Sequence, residues 1–196
     1  MGDCHNGRSI TDLEYGMQYV WDKMATIMSD NRKGDNVGVI TLRTDGTKND
    51  LADTGDEYSN ITLLRNLGML EMGDLQSLKE TVTPSDTEEG DAISAIVVAG
   101  EAIAKFTTLK TGKPGSFVRK IILLTDGQGE MNGEDVASIA ERLDELKIAL
   151  TVMYASLPSL VQIINVGIAV SISMMKVLQR RTNLPSNGKT KPSCWN

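Results

Sequence analysis

One turn of this chain carries side chains that could hold a metal ion. Thr125-Asp126-Gly127 follows directly on four apolar residues at positions 121–124. A short apolar run that ends in a turn is typical of a strand buried on both faces, and such strands place ligand-binding residues at their carboxyl ends. Oxygen ligands suit a hard cation such as Mg²⁺. Asp126 is therefore the candidate metal ligand, and Asp91 is the second carboxylate to weigh.

A structural role explains both carboxylates more simply. Two acidic side chains without a set of hydroxyl ligands do not make a magnesium site. Asp126 is typical of a turn former whose carboxylate accepts backbone N–H groups. Asp91 is typical of the residue that caps a helix and favours its dipole. We predict these structural roles, with no bound metal and no cofactor.

A small basic cluster could contact nucleic acid. A solvated surface is the ordinary role of such a cluster, and an auxiliary contact to DNA phosphates is the alternative. The whole chain carries a net charge of −6, which disfavours a basic surface that wraps a duplex. The cluster surrounds one loop and consists of Lys110, Lys113, Arg119 and Lys120.

Other reactive patterns are weak. Residues 183–190 approach a phosphate-binding loop, but Asn183 replaces the first Gly and no strand or helix is predicted around the segment. His5 is the only histidine and has no Ser or Cys nucleophile near it, so a catalytic triad has no support. Cys4 and Cys194 stand at opposite ends and form no metal-binding pair. The sequence predicts no catalytic residue.

Helices alternate with buried strands along residues 1–155. A capping box at Thr11 and Glu14 opens a helix to about Ser29, and a helix that is apolar nearly all round spans residues 91–106. This alternation predicts a doubly wound, mainly parallel α/β sheet with helices on both faces. The remaining predicted elements are strands at 37–42, 61–67, 119–125 and 148–154, helices at 74–79 and 134–146, and loops at 43–59 and 81–90.

Charge divides the chain near Ser156. Residues 1–156 hold all 26 acidic residues, whereas residues 157–196 hold five basic residues and no acidic one. A break this sharp marks segments of different role, so we treat residues 1–155 as one domain and 156–196 as a tail. We expect the tail to be disordered or a loosely docked helix. Its run at 157–178 reaches membrane-spanning length, but polar residues interrupt it, and we expect no membrane span.

These features together resemble a known family. The Thr125-Asp126-Gly127 turn after a buried strand, with Gly90-Asp91 at a helix start, is similar to a von Willebrand factor A domain. The likeness covers about residues 1–155. Four segments resemble, in order, the amino-terminal domain of the larger subunit of the Ku heterodimer in its fungal form: 1–7, 12–23, 90–99 and 119–127.

The resemblance implies a non-catalytic interaction domain. Ku complexes encircle broken DNA ends, start non-homologous end joining and help to maintain telomeres in the nucleus, and the family is catalogued as a subunit of an ATP-dependent DNA helicase. The implied partners are the smaller Ku subunit, double-stranded DNA ends held by domains absent here, and other end-joining proteins. ATP enters only through the catalogue name. A metal-dependent A-type domain of another family is the alternative, and an ATPase ranks third.

The sequence departs from the family in three ways. Family members carry a central strand before the position of Met1, so we expect the sheet to lack it. That loss would leave unpaired backbone groups on two strands and lower the stability. The Asp-x-Ser-x-Ser turn that completes magnesium sites in A-type domains is missing too, and residues after about 155 no longer resemble the family. Our hypothesis is that both ends come from gene-model errors, which the mature transcript would test.

Overall fold

The structure, a computed structural model, describes residues 7–30, 34–54, 56–113, 115–127, 129, 133–155 and 171–177. These residues form four α-helices and five strands, with a short 3-10 helix at Asp56–Tyr58 in the loop after the first strand. The elements in chain order are α1 (Asp12–Ser29), β1 (Asn36–Leu42), β2 (Ile61–Gly68), α2 (Met72–Thr81), α3 (Ala92–Thr107), β3 (Phe117–Thr125), α4 (Val136–Glu145), β4 (Ile148–Tyr154) and β5 (Ser171–Val177).

One sheet joins the strands in the order β2-β1-β5-β3-β4. β3 and β4 pair in parallel, β5 lies antiparallel to both β1 and β3, and β2 returns antiparallel along β1. β1, β3 and β4 therefore point in one direction. The predicted α/β class is confirmed. The sheet is mixed rather than mainly parallel in its pairings, because β5 separates β1 from β3 in the opposite sense.

The centre of the sheet is filled by residues of the tail. The sequence predicts no strand there, yet Ser171–Val177 form β5. Its backbone pairs with residues 36–40 of β1 and with residues 117–122 of β3. Unpaired N–H and C=O groups in the interior of a sheet are costly, and β5 supplies their partners. Over these seven residues the tail thus differs from the expected disorder or helix.

Helices cover both faces of the sheet, as the sequence predicts. β3 shows the alternation: Ile121 and Leu123 pack with residues of α3, whereas Ile122 and Leu124 pack with residues of α1. All four side chains are at most 2% exposed. Burying a side chain of this size contributes about 1.5–3 kcal/mol. β3 therefore contributes to both hydrophobic cores.

Local signals place α1 and α3 correctly, and α4 only in part. Thr11 Oγ1 accepts the N–H of Glu14 at 3.1 Å, and Glu14 Oε2 accepts the N–H of Thr11 at 2.8 Å, which is the predicted capping box. α3 buries ten of its 16 residues, as expected for a helix that is apolar all round. On α4, which is predicted at 134–146 and found at Val136–Glu145, Leu143 near the carboxyl end is the buried residue.

Candidate functional site

The carboxyl ends of β1 and β3 lie at the same edge of the sheet, and the signature residues are placed along this edge. Arg43 follows β1, and Gly90 at the start of α3 packs against it. A Cβ atom on Gly90 would stand 2.9 Å from the Arg43 backbone nitrogen, and Gly90 has a φ of +123°. Only glycine fits both conditions. This close approach holds the amino end of α3 against the end of β1, beside the edge where β3 delivers Asp126.

Asp91 caps α3, which confirms the prediction. Its Oδ2 accepts the backbone N–H of Ser94 at 3.0 Å and the Ser94 hydroxyl at 3.1 Å. The carboxylate thus satisfies a free N–H group and stands at the positive end of the helix dipole. Its other oxygen, Oδ1, is buried without a hydrogen-bond partner among the described residues.

Thr125 is the last residue of β3 and Asp126 follows it, and only 8% and 9% of their surfaces are exposed. The Thr125 hydroxyl accepts the N–H of Gly127 at 3.0 Å, and the Thr125 carbonyl accepts the N–H of Ala155 at 2.7 Å. Gly127 has a φ of +75°, a conformation that favours glycine. The backbone N–H of Gly127 in the turn is therefore satisfied by the Thr125 hydroxyl. A role of Asp126 in accepting other turn N–H groups stays a prediction.

Arg43 is the residue of this edge that the sequence did not reveal. It has a φ of +58°, and its guanidinium packs so closely on Gly129 that a Cβ atom there would collide with it. Its Nε is buried without a hydrogen-bond partner in the described part of the chain. The signal that could have indicated it is a charged residue placed directly after a buried strand.

The charge of Arg43 bears on the metal question raised by Asp126. A fixed positive charge disfavours a divalent cation at the same edge, because like charges repel. Within the described ranges, no three His, Cys, Asp or Glu side chains are grouped so that they could hold a metal ion. The guanidinium of Arg43 therefore weighs against a divalent cation at this edge.

The predicted basic cluster separates into two kinds of residue. Arg119 is only 7% exposed, and its guanidinium donates to Thr107 Oγ1 at 3.0 Å and to the carbonyl of Leu146 at 2.9 Å. Arg119 is therefore not available to a phosphate, and that part of the alternative is wrong, because its hydrogen-bonding capacity is used inside the protein. Lys110 and Lys113 are exposed on the loop before β3, and Lys120 is half-buried.

Two apolar depressions lie along α3. The first, the β2–α3 groove, has a volume of about 230 Å³, and its residues include Leu63, Leu67, Ala99 and Phe106. At its rim Lys105 Nζ lies 2.6 Å from the Asp50 carboxylate, and both side chains are well exposed. Phe106 is 42% exposed. The groove therefore presents an aromatic side chain to solvent beside an ion pair.

The second depression, the α3–α4 cleft, has a volume of about 300 Å³ and is lined in part by Tyr58, Ile96 and Leu143. Arg142 lies at its rim, 3.5 Å from the Glu101 carboxylate. The pKa of the Tyr58 phenol is raised, mainly by burial and secondly by a hydrogen bond with Glu57, so this group stays neutral and polar at physiological pH.

Several predicted features lie outside the described residues: Cys4, His5, Cys194, and the segment 183–190 that approaches a phosphate-binding loop. Of the apolar run at 157–178, only β5 is described. Among the helices that the structure describes, none combines the length and the apolar character needed to cross a bilayer.

Comparison with known proteins places the chain beside one family. The profile of the Ku70/Ku80 N-terminal alpha/beta domain matches residues 1–157. A protein of Aspergillus oryzae named ATP-dependent DNA helicase II subunit 2 is 46% identical over 153 residues, which is 78% of this chain and 20% of the relative. Proteins of the same name from Neurospora crassa and Schizosaccharomyces pombe are 42% and 39% identical, over 78% and 73% of this chain and 21% and 20% of their own lengths. The chain thus spans about a fifth of the relatives that it matches.

Proposed function

This chain belongs to the Ku family through its amino-terminal α/β domain, and we propose that it is a non-catalytic interaction domain of a complex that binds DNA ends. The proposal extends to double-strand break repair by non-homologous end joining, to telomere maintenance and to a place in the nucleus. The smaller Ku subunit is the proposed partner in a heterodimer. Because the chain spans about a fifth of its relatives, we assign the main grip on DNA to domains outside it.

The two depressions along α3 carry this proposal. The linings of the β2–α3 groove and the α3–α4 cleft are mainly aliphatic and aromatic, and ion pairs stand at their rims. Apolar pockets with a polar rim are typical of surfaces that receive a side chain of a protein partner. End-joining proteins are the partners that the family membership favours.

We do not extend the proposal to ATP-driven unwinding, the activity in the relatives' printed name. The segment 126–135 is glycine-rich in sequence and stands between β3 and α4, and the connection from a strand to a helix is the usual place for a phosphate cradle. It carries four acidic residues and no Lys or Arg, so charge repulsion disfavours a nucleotide phosphate there. The positive charge of Arg43 repels a divalent cation, and this weighs against the metal-dependent alternative.

Substitution in the β2–α3 groove tests the proposal in the full-length subunit paired with its partner. Phe106→Glu introduces a charge into an apolar lining, so we expect rejoining of a linearised plasmid in fungal cells to fall by about tenfold or more, as for loss of a central interface residue. Heterodimer formation and DNA-end binding should not change. Leu109→Glu is the matched control, because Leu109 is 51% exposed but lines neither depression. Equal rejoining by both variants and the unaltered subunit would contradict the proposal.

A further inference from the structure

One carboxylate holds two hydroxyl groups that come from a distant loop. Asp45 Oδ1 accepts the Ser85 hydroxyl at 2.6 Å and the Thr87 hydroxyl at 2.7 Å. These bonds span 40 and 42 positions of the sequence. The hydrogen bonds from Ser85 and then Thr87 lower the pKa of Asp45, so the carboxylate is ionised at neutral pH. The contact between Asp45 and the distant loop depends on both hydroxyls acting as donors.

The turn that carries Asp45 is fixed without help from that loop. The Thr44 hydroxyl donates to the carbonyl of Gly46 at 2.6 Å, and the Thr62 hydroxyl donates to the same carbonyl at 3.0 Å. The loop at 82–91, by contrast, contains no helix or strand. Among the described residues, the hydrogen bonds from Ser85 and Thr87 to Asp45 are the ones that join the 82–91 loop to this turn. Loss of those donors would release the loop and leave the turn in place.

The sequence after Ser85 suits a protein kinase that recognises acidic residues. Asp86, Glu88 and Glu89 follow it at the first, third and fourth positions, and Ser85 itself is exposed. Carboxylates placed after an acceptor hydroxyl can pair with basic side chains of such an enzyme. Thr87 is half-buried, and Gly90 occupies its third following position. Exposure and charge spacing therefore both select Ser85.

We propose that Ser85 is a phosphorylation site that releases the 82–91 loop from the carboxyl edge of the sheet. A kinase transfers the γ-phosphoryl group of ATP to Ser85 Oγ. The new O–P bond forms as the bond to the β-phosphate oxygen breaks, the hydroxyl proton passes to the kinase's base, and ADP leaves. The phosphoserine has lost the serine hydroxyl that donated to Asp45 and carries a charge of about −1.5 to −2 at pH 7. Repulsion between this phosphate and the Asp45 carboxylate then separates the 82–91 loop from the turn that carries Asp45.

Release of the loop would change the surface of the candidate site. The loop ends at Gly90, which packs against Arg43, so the segment that moves adjoins the guanidinium at the carboxyl edge. Asp91 remains bonded to Ser94 at the start of α3, so the helix and its core are not expected to change. The modification thus acts on one edge of the domain and not on its fold.

In vitro phosphorylation of the full chain tests the site. The protein is incubated with ATP, Mg²⁺ and casein kinase 2, a kinase directed by acidic residues, and the phosphate is located by mass spectrometry. We expect Ser85 to be the main acceptor, Ser85→Ala to lose that phosphate, and the matched Thr87→Val variant to keep it. Asp45→Ala should raise the initial rate by about tenfold, the equivalent of one charge-assisted hydrogen bond. Absence of phosphate at Ser85 in both the unaltered protein and Asp45→Ala would overturn the proposal.

Hydrogen exchange on the phosphorylated protein tests the release. Backbone amides at 85–90 should exchange faster, whereas those of β1 and β3 should keep their protection. Ser85→Ala, which also lacks the donor but adds no charge, should show a smaller increase. Unchanged exchange at 85–90 after stoichiometric phosphorylation would also overturn the proposal.

Discussion

Arg119 looks in the sequence like one more surface cation, yet in the structure it ties three segments together. Its guanidinium reaches Thr107 at the end of α3, the carbonyl of Leu146 after α4, and the carbonyl of Gly115 at 3.3 Å. A buried cation is tolerated when its donors are paired with acceptors. Here two of those acceptors are the backbone carbonyls of Leu146 and Gly115.

We therefore expect Arg119→Ala to lower the free energy of unfolding by about 2–4 kcal/mol, because it removes a packed side chain and the donor to Thr107 Oγ1 and to the Leu146 carbonyl. Urea unfolding followed by circular dichroism measures the change. Lys110→Ala is the control, since Lys110 is exposed on the neighbouring loop and its loss should cost less than about 0.5 kcal/mol. If the two variants were equally stable, Arg119 would have no structural role.

Residue roles were predictable where their partners are close in sequence. Thr11 and Asp91 each bond to the residue three positions ahead, so spacing alone indicates the cap. Arg43 and Arg119 were not predictable in this way. Arg119 donates to a carbonyl 27 positions away, and Arg43 packs on Gly129, so their burial is decided by the fold. The same limit applies to Asp45 and its partner Ser85.

At the scale of elements, α2 begins with a charge contact that also anchors β2. Asp74 Oδ2 accepts the N–H of Glu71 at 2.9 Å and a guanidinium N–H of Arg65 at 2.8 Å. The hydrogen bond from Arg65 is the main reason that the pKa of Asp74 lies below its ordinary value of 3.8. Both side chains keep contact with solvent, so screening limits the gain in stability.

This lowered pKa predicts how stability depends on pH. A carboxyl group with a lower pKa in the folded state contributes stability above about pH 3.8, and the contribution is lost as the pH falls through the folded pKa. We expect Asp74→Asn to be less stable than the unaltered protein at pH 7, by at most about 1 kcal/mol. That difference should shrink below pH 3.8. Denaturant unfolding at several pH values measures it, with Asp22→Asn on the exposed side of α1 as the charge control.

A difference in stability between the two proteins that stayed constant from pH 7 to pH 2 would contradict this account of Asp74.

The start of α2 also shows why the positions of elements were predicted better than the contacts between them. The helix was expected at 74–79 and is found at Met72–Thr81, since its pattern is local. Its contact with Arg65 of β2 depends on how the strand and helix pack.

At the scale of the whole molecule, strand order was the feature least accessible from the sequence. Four of the five strands were predicted from apolar runs, and the α/β class followed from their alternation with helices. The order β2-β1-β5-β3-β4 did not follow, because pairing joins residues far apart in the chain. Asn36 of β1 pairs with Met175 of β5, for example. What fills the centre is decided by backbone groups that need partners, which side-chain patterns do not record.

β5 makes the stability of the domain depend on the tail. Without it, residues 36–40 of β1 and 117–122 of β3 would lose their inner hydrogen-bonding partners at the middle of the sheet. Each buried backbone group that remains unpaired lowers the stability by about 1–3 kcal/mol, and loss of β5 would leave several such groups unpaired. A domain of this size has only about 5–15 kcal/mol of net stability.

We therefore expect a chain truncated after Ala155 to lose cooperative unfolding and to aggregate or pair with another copy through the open strands. A chain truncated after Val177 is the matched control, because it keeps β5 and should unfold cooperatively. Hydrogen exchange measures the effect at residues 36–40 and 117–122, which should be protected in the control and not in the shorter chain. Ser173→Pro in the full chain adds a finer test, since it removes one backbone donor of β5 where Ser173 pairs with Gly38 and Ile121. If the chain ending at Ala155 kept the same protection, another segment would have to complete the centre of the sheet.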